Sequence, residues 1–493
     1  MSVLRRRFHR PFHRPFRLRT VPRRVQALTA VALVAVIVLF TVTGAMVRDA
    51  RSALRAIGHD EGPMVVATND VYLALSDMDA QVTNVLLTGG EKQWLCDVER
   101  SEQVAGSSCN RSLPRYFYDI RREDAQRAVL QAARLAQDDP LQLQTVRSVL
   151  DGLSQYDQRV QAAMERGGEV AHPFGALPDD AVQEYRAATK IMNEDLLPKA
   201  NNLTLAGAAA VEHSYGEPLS HVRAGRAWVL GLGLVALAAL VGLQVYLARR
   251  FRRVISLCLV AAALGTVAVT AAAASLLATE ADYLRMAKDD GFDPVLRLSR
   301  ARAIGKSLDS DRTRSLLDPE AADRYDQTYF EKSQAMLFIA KANNLRTYYA
   351  MLNDKIRRYE RAPHETDFGG LYGVAASEGA ARGQRNVADT LLDRFRAYQE
   401  RDRLVRILAR ANQGQAAAQA HMDPQWQYLS HPSFRENDAG LDALVGRRQV
   451  VVTRMVRGGE RAVRPWPWLL PIAGVAIAAL VVGGVWPRLA EYR

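Results

Sequence analysis

The stretch 227–278 constrains this chain most. Two uncharged apolar runs, Ala227–Ala248 and Val254–Ala278, are separated by five residues of which four are arginines: Arg249, Arg250, Arg252 and Arg253. A helix needs about 20 apolar residues to cross the hydrocarbon core of a bilayer. Soluble core helices rarely run this long without a charge. The pattern therefore predicts a tight membrane hairpin with its turn at 249–253. Arginine-rich short turns stay on the cytoplasmic side, so the turn points inward and both long flanks are sent outward.

Two further runs complete the set. Residues 25–47 are apolar and follow a tail, 1–24, that carries nine arginines and no acid. A cleavable signal peptide has a shorter apolar region, roughly 7–15 residues, so 25–47 reads as an uncleaved anchor with the N-terminus inside. Residues 465–486 form the fourth span, with Trp466, Trp468 and Trp486 marking both interfaces as an aromatic belt. Its Gly474/Ala478 and Ala479/Gly483 pairs suit close helix approach. The expected order is a basic cytoplasmic tail (1–24), spans at 25–47, 227–248, 254–278 and 465–486, the turn at 249–253, and a cytoplasmic end (487–493). Residues 48–226 and 279–464 lie outside.

Charge follows the same plan. The formal net charge is +12, and most of the excess sits in the tail. That is a topology signal, with anionic lipid headgroups as the natural contact; no nucleic-acid partner is implied. Apart from that bilayer contact, a homo-oligomer is compatible with the sequence. No predicted span carries a charged residue, which argues against an ion path.

Both outside segments read as helical. In the first, 70–89 ends at Gly89–Gly90, 121–137 is a second helix, and Leu143, Val146, Leu150, Leu153, Val160 and Met164 form a heptad-like stripe on a third. A fourth starts near Asp179 and runs toward the membrane, with Pro198 as a kink. This is the plan of a four-helix bundle standing on the bilayer. The second segment carries stripes at Leu345, Tyr349, Leu352, Ile356, Tyr359 and at Leu391, Phe395, Tyr398, Val405, Leu408. The near-equal lengths suggest a duplicated plan. Asp293–Ala303 echoes Asp70–Ala80 with Asp, Leu, Leu, Ser and Ala at identical spacing. The expected fold is an all-α membrane protein with four transmembrane helices and two extracytoplasmic four-helix-bundle modules in tandem.

Three cysteines are present. Cys258 lies in an apolar run as a packing residue. Cys96 and Cys109 bracket a Gly/Ser stretch in an outside segment, where cysteines usually pair. A disulfide is the expectation and free thiols the alternative; a zinc site would need further ligands nearby.

The chemistry of an enzyme is not legible. There is no HExxH, P-loop or GxSxG motif. Gly231-Leu-Gly233 falls inside a span with no preceding strand, so it reads as packing glycine. His213 and His221 share a helix face without carboxylates to recommend a metal, and the many carboxylates read as solvated helix faces. No catalytic, cofactor-binding or metal residues are expected, and the ligand-binding residues are unknown. The predicted cytoplasmic pieces are too small to fold as a kinase or ATPase, so the expectation is that another protein reads the signal.

With DVYLALSDMDA…LLTGG beyond the first span and DPVLRLSRARA beyond the third, the chain resembles an actinobacterial sensor component. That family is encoded beside a glutamine-binding lipoprotein and the soluble Ser/Thr protein kinase G. The outside modules are also similar to the four-helix-bundle sensor domains of chemoreceptors. The resemblance implies a non-enzymatic transducer that relays external Asp, Glu or Gln, held by an extracytoplasmic solute-binding lipoprotein, to a cytoplasmic Ser/Thr kinase or adaptor. The alternative is an accessory subunit of a transport or cell-envelope assembly.

Overall fold

A computed structural model describes residues 21–88, 113–137, 139–169, 176–251, 256–362, 367–381, 385–422 and 434–490. No strand occurs among them, only an isolated antiparallel bridge between Phe338 and Gly369. The chain divides into two compact units. One comprises 1–54, 216–284 and 457–493, and the other 55–215 and 285–456.

The first unit holds the apolar helices. α1 is Val21–Arg55, α6 is Leu197–Phe251, α7 is Leu257–Arg285 and α15 is Trp466–Ala490. Among the described residues four helices are long and apolar enough to cross a membrane, one at each place where a span is expected. Their shared core includes Val36 and Leu39 of α1, Leu240 and Leu243 of α6, Ala262 of α7 and Val481 of α15. Large apolar side chains also face outward, among them Ile37, Leu234, Leu264 and Val475. In water that would be costly; in lipid it is the expected outer face. α6 ends at Phe251 and α7 begins at Leu257, so the first three residues of the expected turn, 249–251, still belong to α6. Arg249 is exposed, whereas Arg252 and Arg253 lie outside the described residues, and the side chain of Arg250 is likewise not described.

One small-residue expectation needs correcting. A Cβ on Gly474 would sit 3.4 Å from the Phe40 ring, so that glycine does admit a neighbour. Gly483 faces open space. Its neighbour Gly484 makes the close approach instead, to Leu259, Ser256 and Cys258. For the Ala479/Gly483 pair the spacing rule located the right turn of the helix but the wrong face.

The second unit is built from α2 (Glu61–Thr88), α3 (Leu113–Leu135), α4 (Pro140–Glu169), α5 (Asp179–Ile191) and the start of α6, with α8 (Asp293–Leu317), α9 (Ala322–Met336), α10 (Leu345–Arg361), α11 (Gly370–Ala381), α12 (Arg385–Arg410), α13 (Gly414–Met422) and α14 (Phe434–Val463). Each polar segment has its own core. Val146, Leu153, Val160 and Met164 of the α4 stripe are buried in the first, and Leu352, Ile356, Tyr359, Phe395 and Tyr398 in the second. The two are not independent, however. Leu316, Leu317, Val405, Ala417 and Ala418 of the second segment complete the core of the first. The helices that carry the echoed sequence, α2 and α8, pack along one another.

Among the described residues three π-helical turns punctuate the long helices: Ala56–Asp60, Met192–Leu196 and Met286–Phe292. Each is followed within three residues by a proline, Pro63, Pro198 and Pro294. Proline cannot donate to the residue four back and its ring collides with that carbonyl. Those residues are His59, Glu194 and Asp290, and all three lie inside the π turns. Widening the helix there removes the collision without ending the helix. At Pro198, where a kink is expected, the helix widens into the π turn Met192–Leu196.

Candidate functional site

The α8 sequence Lys306–Arg314, KSLDSDRTR, reads as a solvated helix end. It is instead buried throughout. This overturns the expectation that the carboxylates lie on solvated faces: Asp79, Asp309, Asp311, Asp318 and Asp402 are all buried.

Arg314 is fully buried and fully engaged. Its Nη2 donates to Asp79 Oδ2 at 2.5 Å, its Nη1 to Asp311 Oδ1 at 2.6 Å, and its Nε to the Tyr185 hydroxyl at 3.1 Å. Tyr156 donates to the other Asp79 oxygen at 3.0 Å. Lys332 closes the group, donating to Asp311 Oδ2 at 2.5 Å and Ser307 Oγ at 2.6 Å. Two cations and two carboxylates thus neutralise one another with no oxygen of Asp79 or Asp311 left over. Burial pushes the Lys332 ammonium below the usual lysine range, even with Asp311 opposing it.

A second group lies beyond it in the second core. Arg312 pairs with Asp309 and lies 5.0 Å from the Tyr398 ring centroid. Arg406 donates to Asp402 at 2.8 Å, pairs with Asp326, and stacks 4.4 Å over the Tyr329 ring. Asp402 also accepts from the Tyr349 hydroxyl. Burial pushes the Asp402 carboxyl up to about 7 and the Arg406 guanidinium down to about 9. His421 Nε2 lies 3.1 Å from Thr313 Oγ1 and 3.3 Å from Asn84 Oδ1. Burial, with Arg312 nearby, holds its ring down to about 3.

Beside the first group opens a cleft of about 1050 Å³, walled by α5, the following π turn and the first turns of α6 on one side, and by α8 and α9 on the other. Arg186 spans it, with Nε 2.8 Å from Asp318 Oδ2, and Nη2 2.6 Å from Asp318 Oδ1 and 2.9 Å from Glu320. Tyr325 donates to the same Asp318 at 3.1 Å. Asn193, Asn201, Asn202 and Arg300 also line it. The carboxylates, guanidinium groups and phenols of this region can bind and orient polar groups. Among the described residues no cluster of three His, Cys, Asp or Glu is placed to hold a metal ion.

Residues 53–216 match the family model of the actinobacterial sensor domain. Their limits fall within two residues of the first chain segment of the second unit, 55–215. The matched segment thus contributes Asp79, Tyr156 and Tyr185 to the ionic group and the α5–α6 wall to the cleft. The opposite wall comes from the second polar segment, outside the match. No curated protein and no solved structure matches the chain.

Sequence reasoning missed this site. Cys96 and Cys109 lie outside the described residues. The available signal was the comparison of the two echoes: where α2 has Asp77 and Asp79, α8 has Arg300 and Arg302. Those four side chains do not pair with one another, however: Asp79 binds Arg314, Asp77 binds Lys306 and Arg121, and Arg302 binds Asp438 and Asp442.

Proposed function

We propose that this protein is a non-enzymatic transmembrane transducer, with 48–226 and 279–464 outside the cell membrane and both termini and the turn 249–253 in the cytoplasm. It relays external Asp, Glu or Gln, presented by a solute-binding lipoprotein, to a cytoplasmic Ser/Thr kinase or adaptor. One observation carries the transducer reading. α6 runs for 55 residues, starting within the sensor-domain match and ending at the arginine turn. A continuous helix delivers a shift of about 1–2 Å from one end to the other, and a docked partner sets that shift only through differential affinity for two states.

The test is deletion of the gene. Kinase-dependent phosphorylation should stop responding to external Asp, Glu or Gln while uptake of those amino acids persists. Lost uptake with phosphorylation still responsive would instead mark a subunit of a transport assembly. A C-terminal reporter active only outside the membrane would overturn the topology.

A further inference from the structure

We propose that the cleft between α5–α6 and α8–α9 binds a small polycarboxylate anion directly, clamped between Arg300 on one wall and the amides of Asn193, Asn201 and Asn202 on the other.

The argument is one of unspent bonding capacity. Five cations and three carboxylates line the cleft. Asp318 and Glu320 are already satisfied by Arg186. Glu194 is shared loosely, 3.6 Å from Arg324 and 4.0 Å from Lys190. Lys332 is committed to Asp311. Arg300 is exposed and no carboxylate lies within ion-pair distance of it among the described residues. The side chains of Asn193, Asn201 and Asn202 make no hydrogen bond there either, although Asn193 and Asn201 are half-buried. One guanidinium and three carboxamides therefore face a common space with their donors unused.

Those groups select a ligand class. A guanidinium fork matches a carboxylate with two parallel hydrogen bonds. With Lys332 spent on Asp311, four cations face three carboxylates in the lining, a balance that favours an anion. Carboxamides both donate and accept, so they can serve a second carboxylate and a hydroxyl together, which a fully ionised inorganic anion lacks. The volume is at the upper end for small-molecule sites and leaves room for bridging water.

The placement gives binding a consequence. Asn201 and Asn202 lie in the first turns of α6, which ends at the arginine turn, and Arg300 is on α8, joined to the apolar helix α7 through the π turn at 286–292. A ligand that bridges the walls fixes the spacing of two helices, each leading to a span. That consequence rests on the transducer reading; the binding does not.

The test uses the full chain in neutral-lipid nanodiscs, titrated calorimetrically with citrate and with malate at low salt. Saturable binding is expected for both. Arg300→Glu should weaken it by about tenfold or more, the worth of a charge-assisted hydrogen bond, and Asn201→Leu by several-fold. Arg300→Lys, which keeps the charge but loses the fork, should fall between. Arg346→Glu, an exposed change on α10, should leave it unaltered, and unchanged circular dichroism establishes that each variant is folded. No saturable binding of either probe, binding indifferent to Arg300→Glu, or equal affinity for inorganic sulfate overturns the proposal. Phosphorylation that ignores external amino acids while citrate still binds would sink the transducer reading and leave the cleft assignment standing.

Discussion

Arg314 donates to Asp79 at 2.5 Å with both side chains buried, joining residues 235 positions apart in sequence. Removing one partner leaves the other as an uncompensated buried charge, which costs about 3–5 kcal/mol. Arg314→Met and Asp79→Leu should each destabilise by that order in chemical denaturation. The double variant should recover much of the loss, because Lys332 still balances Asp311. Additive losses would show that the pair does not act as a unit.

Asp402 and His421 should pull the pH dependence in opposite directions. The Asp402 carboxyl is raised to about 7 when folded, above its unfolded value of about 4. The folded state then holds the extra proton, so this group's contribution falls as pH rises from about 4 to 7. His421 is lowered to about 3, below an unfolded value of about 6.5. Its contribution is present above that pH and is lost as pH falls toward 3. Relative to wild type, Asp402→Asn should lose more stability on acidification from neutral pH, and His421→Asn should lose less. Thermal melts across that range decide; shifts of the same sign in both variants would refute the assignment.

Gly291 and Gly58 should resist even alanine. A Cβ on Gly291 would lie 2.5 Å from Val452 Cγ2, and one on Gly58 2.5 Å from Val456 Cγ1. Alanine normally gains about 1 kcal/mol over glycine in a helix, but overpacking costs about 1–3 kcal/mol. Gly291→Ala should therefore be neutral to destabilising, and Val452→Ala in that background should restore it. A plainly stabilised single variant would show that the contact is loose.

The pairing of Cys96 with Cys109 is a proposal that labelling can address. The chain-entropy treatment gives roughly 3 kcal/mol for a loop of about 14 residues. Thiols in native membranes should resist a maleimide until reduced. Labelling of both before reduction would exclude the bond.

The apolar spans and stripes were legible because periodicity and length report burial directly: Val146, Leu352 and Phe395 lie where their spacing puts them. The helix walls of the cleft were legible as helices, but the cleft was not. Asp311, Arg312 and Arg314 are charged, and a charge run is ordinarily solvated; only a distant partner makes burial tolerable, and Asp79 and Asp402 are far off in sequence. The π turns had a signal, a proline inside a long helix, which is read as a kink at Pro198 and not at all at Pro63 or Pro294. Tyr156 and Tyr185 had none, since a tyrosine at a core position looks the same with or without a carboxylate waiting for its hydroxyl.

Val452 and Val456 stand one turn apart on α14, each seated in the hollow left by a glycine of a different π turn. Because both sit on a single helix, axial slip of α14 unseats both together. The two echoed halves of the chain are keyed to one shaft, like two wards of a lock turned by the same bit. Axial slip of α14 by a fraction of a turn has no seated intermediate, so its positions along these two helices are discrete rather than graded.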